Sequence, residues 1–208
     1  MVRRALALSL LLAGCLPDDT RPAPGRLNVS VDGDVALGAG VTTADGWTIS
    51  FDRFLISLGE VELEGDDCTS YNETDYLRIL DLRAGAPQKL STPYARGSCE
   101  LTFRVASPRE DVALGTGVTA ADVILFRTAA SDAFEQNAGL TLLVAASAEK
   151  AGAVERFEWG FRRGIQYEDC RLGDAAGVQL ESRDDESVNL RIESATLMYA
   201  GSAERCGA

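Results

Sequence analysis

Clustered acidic side chains are the residues of this chain with the clearest capacity for chemistry. Asp66, Asp67, Glu73 and Asp75 fall within ten residues of one another, beside Ser70. Oxygen ligands carried on loops are what Ca²⁺ requires, so these four carboxylates are the candidate metal ligands of the sequence. The spacing of an EF-hand loop is absent, and a charged loop is usually only a solvated loop. Ca²⁺ is therefore the one cofactor that the sequence suggests, and we otherwise expect none.

The residues on which most enzymes rely are missing. The chain contains no histidine, which removes Ser-His-Asp and Cys-His nucleophilic sites and the His-containing metal sites. Two carboxylates could serve a glycoside hydrolase, but nothing in the sequence marks a pair at the required separation. We therefore expect no catalytic residues and a protein that is not an enzyme.

Four cysteines predict two disulfide bonds. Cys68, Cys99, Cys170 and Cys206 follow an earlier cysteine, Cys15. An even number in an exported domain favours disulfides, and the lack of a CxxC pair argues against a zinc or redox site. Three pairings are possible. We favour Cys68–Cys99 with Cys170–Cys206, because these are nearest neighbours along the chain.

Residues 1–14 have the three parts of an export signal. Arg3 and Arg4 provide positive charge, an apolar run follows over 5–12, and small residues lead into Cys15. The apolar run is too short for a mature membrane-spanning helix, which needs about 20 apolar residues. One interpretation of this segment is an ordinary secretory signal followed by an incidental cysteine.

The string LAGC at 12–15 resembles the lipobox of bacterial lipoproteins. That resemblance implies cleavage before Cys15, lipidation of its thiol and anchoring to a membrane outside the cytoplasm, where several acyl chains give a stable anchor. Because Leu16 follows the cysteine, it implies the outer membrane, on its periplasmic face or at the cell surface. Segments 46–54 and 94–99 are similar to uncharacterised exported lipoproteins, which implies no activity.

The mature chain divides into a tether and one domain. Residues 15–25 contain three prolines and several charges, which keep a linker extended and solvated, and 26–208 can bury the core of a single domain. Loss of the signal removes Arg3 and Arg4 and no acidic residue, which leaves 18 basic and 32 acidic side chains and a net charge of −14. This balance argues against nucleic acid as a partner.

Alternation of apolar and polar residues predicts an all-β fold. Leu27, Val29 and Val31 alternate with polar residues, and similar patterns recur in about nine short segments separated by Gly, Pro, Asp and Asn. The pattern is typical of an antiparallel β-sandwich of the Greek-key kind with at most one or two short helices. The clearest helix candidate starts at Thr119, where Thr-Ala-Ala-Asp resembles a capping box. A strand is the alternative there.

Three aromatic residues on one strand have two interpretations. Phe157, Trp159 and Phe161 share a face, with charged residues on the other. They could form a platform that stacks on sugar rings, or they could fill the inner face of a sandwich. We favour the core interpretation, because a long strand of a sandwich must fill an inner face.

An internal repeat spans eleven residues. The segments VALGAGVTTAD at 35–45 and VALGTGVTAAD at 112–122 match at nine positions. The two copies could frame one site in a pseudo-symmetric sandwich. We favour a structural role as paired glycine turns, because few of these residues carry chemistry.

These patterns together predict a lipid-anchored, non-enzymatic module of the cell envelope. Its partners would be the membrane, through the lipid on Cys15, and an envelope protein that it binds or helps to assemble. The alternative is a module that binds Ca²⁺ or carbohydrate at the cell surface.

Overall fold

The computed structural model describes residues 22–72, 76–110, 112–128, 139–170 and 177–194. The strands in these ranges are β1 (Gly25–Gly33), β2 (Val41–Thr42), β3 (Thr48–Glu64), β4 (Cys68–Ser70), β5 (Leu77–Asp81), β6 (Gln88–Ser91), β7 (Tyr94–Val105), β8 (Ala113–Leu114), β9 (Leu142–Lys150), β10 (Ala153–Phe161), β11 (Ile165–Cys170), β12 (Val178–Leu180) and β13 (Asp185–Ile192). The helices are α1 (Ala36–Ala39) and α2 (Ala120–Thr128), with a 3-10 turn at Leu82–Ala84. No helix in the described ranges is long and apolar enough to cross a membrane.

Strand β7 belongs to two sheets at once. Its first half, up to Cys99, pairs with β1, β4 and β12, and its second half, from Glu100, pairs with β3 and β11. The first sheet also contains β6 and β13, and the second contains β2, β5, β8, β9 and β10. Within the described residues only β1–β13 and β5–β8 are parallel pairs. The predicted all-β, mainly antiparallel fold is confirmed, with thirteen strands instead of about nine.

Apolar side chains from both sheets fill one shared core. The alternation predicted for β1 is confirmed, since Leu27, Val29 and Val31 are each at most 1% exposed. They belong to the same buried cluster as Phe54 and Leu58 of β3 in the second sheet. Burial of side chains of this size stabilises the fold by roughly 1.5–3 kcal/mol each. The two sheets are therefore the layers of a sandwich-like fold.

Two bulges change which face β3 presents to the core. Phe51 pairs with Ala146 and Arg53 pairs with Ala145, so Asp52 between them is an extra residue. A second irregularity lies between Gly59 and Glu62. Each extra residue reverses the alternation, because side chains of a strand point to opposite faces in turn. The core residues of β3 therefore change from odd to even numbers and back, as Ile49, Phe51, Phe54, Ile56, Leu58, Val61 and Leu63.

The first and last strands of the described chain are joined by a parallel pairing. Arg26 faces Asp185 at one end, and Asp32 faces Arg191 at the other. Each pair forms a two-pronged ion pair, and the Arg191–Asp32 contacts measure 3.2 and 3.1 Å. The hydrogen bond from Arg191 lowers the pKa of Asp32. These pairs fix the register of β1 and β13, which runs from Asp185 to Ile192.

Helix α2 covers the outer face of the second sheet. Phe126 is fully buried in a second apolar cluster that includes Leu55 and Leu143. One half of the predicted capping box is present, because the backbone N–H of Thr119 donates to the carboxylate of Asp122 at 2.8 Å, and the Thr119 hydroxyl donates to the same oxygen at 2.9 Å. Arg53 of β3 donates to the other oxygen of that carboxylate. The cap therefore also fastens the helix to the sheet.

The two copies of the internal repeat adopt different structures. Residues 36–39 of the first copy form α1, whereas the matching 113–114 of the second form β8. Gly38 has open space around it, but Gly115 packs against Leu80 and Gln88. The copies agree at the second glycine, where Gly40 and Gly117 both have φ near +80°. The repeat is therefore not a duplicated structural unit.

Substituting Gly97 tests the point at which β7 crosses between the sheets. Its φ is +106°, and an added Cβ would lie 1.8 Å from the carbonyl oxygen of Asp67. Gly97→Ala should lower the free energy of unfolding by about 1–3 kcal/mol or more, from strained backbone and steric conflict. Gly38→Ala, which meets nothing within 4 Å, should change it by less than about 0.5 kcal/mol. Denaturant unfolding measures both, and equal effects would contradict the close approach.

Acid should release the bond between α2 and β3. Burial acts to raise the pKa of Asp122, but hydrogen bonds from Arg53 and Thr119 outweigh it, and the pKa lies below the usual 3.8. The ionised carboxylate therefore stabilises the fold above pH 4, and this contribution is lost as the pH falls through the lowered pKa.

The matching variant is Asp122→Asn. It should cost about 1–3 kcal/mol at pH 7, because it weakens hydrogen bonds to a charged group, and the difference from wild type should shrink toward pH 2. Thermal melts from pH 7 to pH 2 measure this convergence. Asp66→Asn, which removes an exposed carboxylate, should follow wild type throughout. A difference that persists undiminished in acid would show that the carboxylate charge is not responsible.

Candidate functional site

The predicted disulfide between Cys68 and Cys99 is present. It joins β4 to the crossing strand β7, with a Cα–Cα distance of 4.9 Å. Cys170 is 1% exposed and is also disulfide-bonded, and its predicted partner Cys206 lies outside the described residues. Cys15, the predicted lipidation site, lies outside them as well. Disulfides of this kind persist in oxidising compartments.

A shallow acidic depression lies beside this disulfide. It encloses about 460 Å³ and is lined by Gly65, Asp66, Asp67, Ser98, Glu100, Gly177, Val178 and Gln179. Asp66 and Asp67 are exposed in the turn that joins β3 to β4. The backbone approaches itself closely here, since a Cβ on Gly177 would lie 2.4 Å from the carbonyl oxygen of Cys99.

The structure assembles only part of the predicted calcium site. Asp66 and Asp67 share the acidic depression, whereas Glu73 and Asp75 lie outside the described residues. Within the described ranges no group of three Asp, Glu, Cys or His side chains is arranged to hold a metal ion. Calcium binding stays a prediction, and the depression by itself is a negatively charged surface.

The spacing Ser147-Ala148-Glu149-Lys150 fits a serine–lysine pair by sequence but not by geometry. Both residues lie on β9, where side chains three positions apart point to opposite faces of the sheet. The ammonium of Lys150 instead donates to the carbonyl oxygen of Asp45, at 2.5 Å, and lies 5.8 Å from the ring centre of Trp47. The fold therefore uses this lysine to fasten a turn.

Strand β10 forms an edge of the second sheet. It pairs with β9 over nine residues, and no described segment pairs with its other side. Eight of its nine residues are exposed, and Phe157 is half-buried. The outer edge of β10 therefore presents a row of backbone N–H and C=O groups that can accept a further strand.

Two large aromatic side chains of β10 are exposed although they face the core side. Trp159 pairs with Val144, and Val144 is fully buried, so both side chains lie on the same face of the sheet. Trp159 is nevertheless 41% exposed and Phe161 38% exposed. The expectation that these rings fill the core is wrong for Trp159 and Phe161, because the opposing sheet does not cover the end of β10.

Three aromatic side chains follow one another along this face of β10. The ring of Phe157 packs against the main core, and the ring of Trp159 lies on it, with 4.4 Å between ring centres and a tilt of 31°. Trp159 is therefore held at one face and open to solvent elsewhere. We call Phe157, Trp159 and Phe161 the aromatic shelf.

Charged side chains occupy the opposite face of β10. Arg156 and Glu158 are exposed and lie two residues apart, so they point to the same side. Neither forms an ion pair or a side-chain hydrogen bond within the described part of the chain. Polar edge strands of this kind either discourage association or direct it to a matching partner.

Comparisons of the chain with protein-family models, with curated proteins and with solved structures find no match. The case for a function therefore depends on the residues and geometry described above.

Sequence patterns missed the edge position of β10. Alternation shows that Phe157, Trp159 and Phe161 share a face, but it does not show whether another layer covers that face. One signal was present in the sequence, since a strand of nine residues carrying Glu155, Arg156 and Glu158 is more polar than a central strand should be.

Truncating Trp159 tests whether the shelf is a free surface. Trp159→Ala should cost about 1–2 kcal/mol, because the residue is 41% exposed and packs only partly, on Phe157. Phe54→Ala, at a ring that is 1% exposed, should cost about 3–5 kcal/mol. Denaturant unfolding of the two variants gives the comparison. Equal costs would place Trp159 in the core after all.

Proposed function

We propose that this protein is a lipid-anchored, non-enzymatic module of the cell envelope that binds a protein partner or helps to assemble a surface complex. The observation that carries the proposal is the exposed β10 edge with its aromatic shelf. Trp159 and Phe161 present large apolar side chains to solvent beside a strand edge that no described segment pairs. Exposed aromatic residues of this kind are typical of interaction sites.

The proposed location follows from the N-terminal sequence. Residues 1–14 have the pattern of an export signal, and the string at 12–15 resembles a lipobox ending at Cys15. The Cys68–Cys99 disulfide is compatible with an oxidising compartment outside the cytoplasm. We propose the outer membrane as the anchoring site, since Leu16 follows the cysteine, and residues 15–25 as the tether, whose last residue, Gly25, already begins β1.

The proposed binding mode is strand addition. An extended segment of a partner can continue the sheet beyond β10 through backbone hydrogen bonds, while its side chains contact the aromatic shelf on one face. Backbone pairing gives affinity, and the pattern of side chains on β10 gives specificity. This mode uses no catalytic group, in accord with a chain that lacks histidine.

Carbohydrate binding is the second candidate function. It is favoured by one observation, the exposed ring of Trp159 supported from behind by Phe157. An indole face held in this way can stack on a sugar ring. Protein binding and carbohydrate binding would both use the aromatic shelf. The two functions are therefore distinguished by whether the protein binds a protein or a carbohydrate, and not by the location of the site.

Cross-linked capture from the native envelope tests the proposed function. The tagged full-length protein should recover one dominant protein partner, and Cys15→Ala, which removes the anchor, should lose it. Trp159→Asp should weaken recovery about tenfold, because it places a charge in the proposed contact. Val35→Asp is the matched control at another exposed apolar residue and should recover the partner normally.

Other results would contradict the proposal. Recovery of the protein alone, together with a melting temperature raised by glycans or by Ca²⁺, would replace it with a ligand-binding module. Hydrolysis of glycosides, peptides or esters at enzymatic rates by the mature protein would show that the module is an enzyme.

A further inference from the structure

We propose that β10 pairs with β10 of a second copy of this chain, in an antiparallel arrangement centred on Phe157. This inference rests on the proposed assembly function and names its partner. The edge is long and unpaired within the described residues, and its side-chain pattern is complementary to itself.

The two charges next to the midpoint of β10 are placed symmetrically, with Arg156 one residue before it and Glu158 one residue after it, whereas Glu155 has no charged counterpart. Phe157 is the fifth of nine residues in Ala153–Phe161, so a two-fold axis at Phe157 aligns the whole strand with its copy. Arg156 of one copy then lies directly opposite Glu158 of the other, and the same pair recurs on the far side of the axis. Both residues are exposed and have no ion-pair partner among the described residues, so each gains a partner without breaking an ion pair of the described chain.

Neighbouring registers are disfavoured by like charges. Alternative antiparallel registers that keep the same faces differ by steps of two residues. Moving the axis by one residue in one direction places Arg156 opposite Arg156, and moving it in the other direction places Glu158 opposite Glu158. Like charges directly opposite are destabilising, so the charges select the register centred on Phe157.

On the opposite face of the same pairing, Phe157 and Trp159 of the two copies come together around the axis. Phe157 lies opposite Phe157 at the axis, with Trp159 of each copy on the diagonal, and diagonal neighbours are within reach of aromatic side chains. Trp159 of each copy would then contact Phe157 of the other copy across the diagonal, and it would lie directly opposite Glu155 of that copy. An antiparallel two-fold pairing therefore satisfies the backbone edge and the Arg156–Glu158 face together, and it brings the Phe157 rings of the two copies into contact.

Charge exchange between β10 residues tests the pairing. Two full-length copies with different tags are co-expressed, extracted in mild detergent and captured through one tag. Wild-type copies should purify together. Arg156→Glu in both copies should reduce recovery of the second tag about tenfold, since two cross-strand ion pairs become two like-charge contacts, and Glu158→Arg in both copies should do the same.

Co-expressing one copy of each variant is the decisive test of the pairing. When one copy carries Arg156→Glu and the other carries Glu158→Arg, every charged contact across the axis is again between opposite charges. Recovery should return to the wild-type level, which loss of folding or non-specific adhesion cannot produce. Arg156→Lys in both copies keeps the charge and should recover normally, and thermal melts at dilutions where the copies are separate should be unchanged in all variants.

Several outcomes would overturn the pairing. They are wild-type copies that never purify together, charge reversals without effect, and a mixed pair no better than the matched ones. The proposed function is judged separately, because capture of a different envelope protein through Cys15 and Trp159 would sustain it even if the β10 pairing failed.

Discussion

The double membership of β7 is the constraint on which the rest of the structure depends. One strand of twelve residues supplies pairing partners to both sheets, and the change of sheet falls at Cys99 and Glu100. Three contacts hold the chain at this point. Cys99 is disulfide-bonded to Cys68. The backbone at Gly97 lies close to the carbonyl oxygen of Asp67, and the backbone at Gly177 lies close to the carbonyl oxygen of Cys99. A strand that changes sheets must bend, and a bend without such support would leave backbone groups unpaired.

Because the two sheets are joined through an inner strand, the strands at the outer ends of the sheet order are not joined to each other. Because β7 lies between β3 and β1, the strands that remain at the ends of the order are β10 and β13. The β13 end is fixed by its parallel pairing with β1 and by ion pairs at both ends of that pairing. At the β10 end the second sheet extends past the layer that should cover it, so Trp159 and Phe161 reach solvent. The exposed shelf is thus a consequence of how the sheets are joined.

Local sequence pattern determined much of the fold but not the coverage of each face. In β3 the core residues change from odd to even numbers after Phe51 and back after Leu58, and both changes coincide with bulges, so the sequence contained this irregularity. The Thr119 cap was readable for the same reason, since its partner Asp122 is three residues away. The exposure of Trp159 depends on where the opposing sheet ends, which the sequence around Trp159 does not show. The two copies of the eleven-residue repeat differ in structure because they pack against different neighbours, which the repeat itself does not show either.

The acidity of the chain determines how such an edge can be used. With 32 acidic and 20 basic side chains, copies of the protein repel one another in general, and the acidic depression beside the disulfide adds to this. At physiological ionic strength that repulsion is screened beyond about 8 Å, so contacts at short range decide whether an approach succeeds. On β10 the short-range pattern is mixed: Arg156 lies between Glu155 and Glu158 in sequence and is the only basic residue of the strand. Arg156 lies one residue before the midpoint of β10, and Glu158 lies one residue after it. In the proposed pair of β10 strands these opposite charges face each other, so the acidic chain can still pair with a second copy, and it does so in one register.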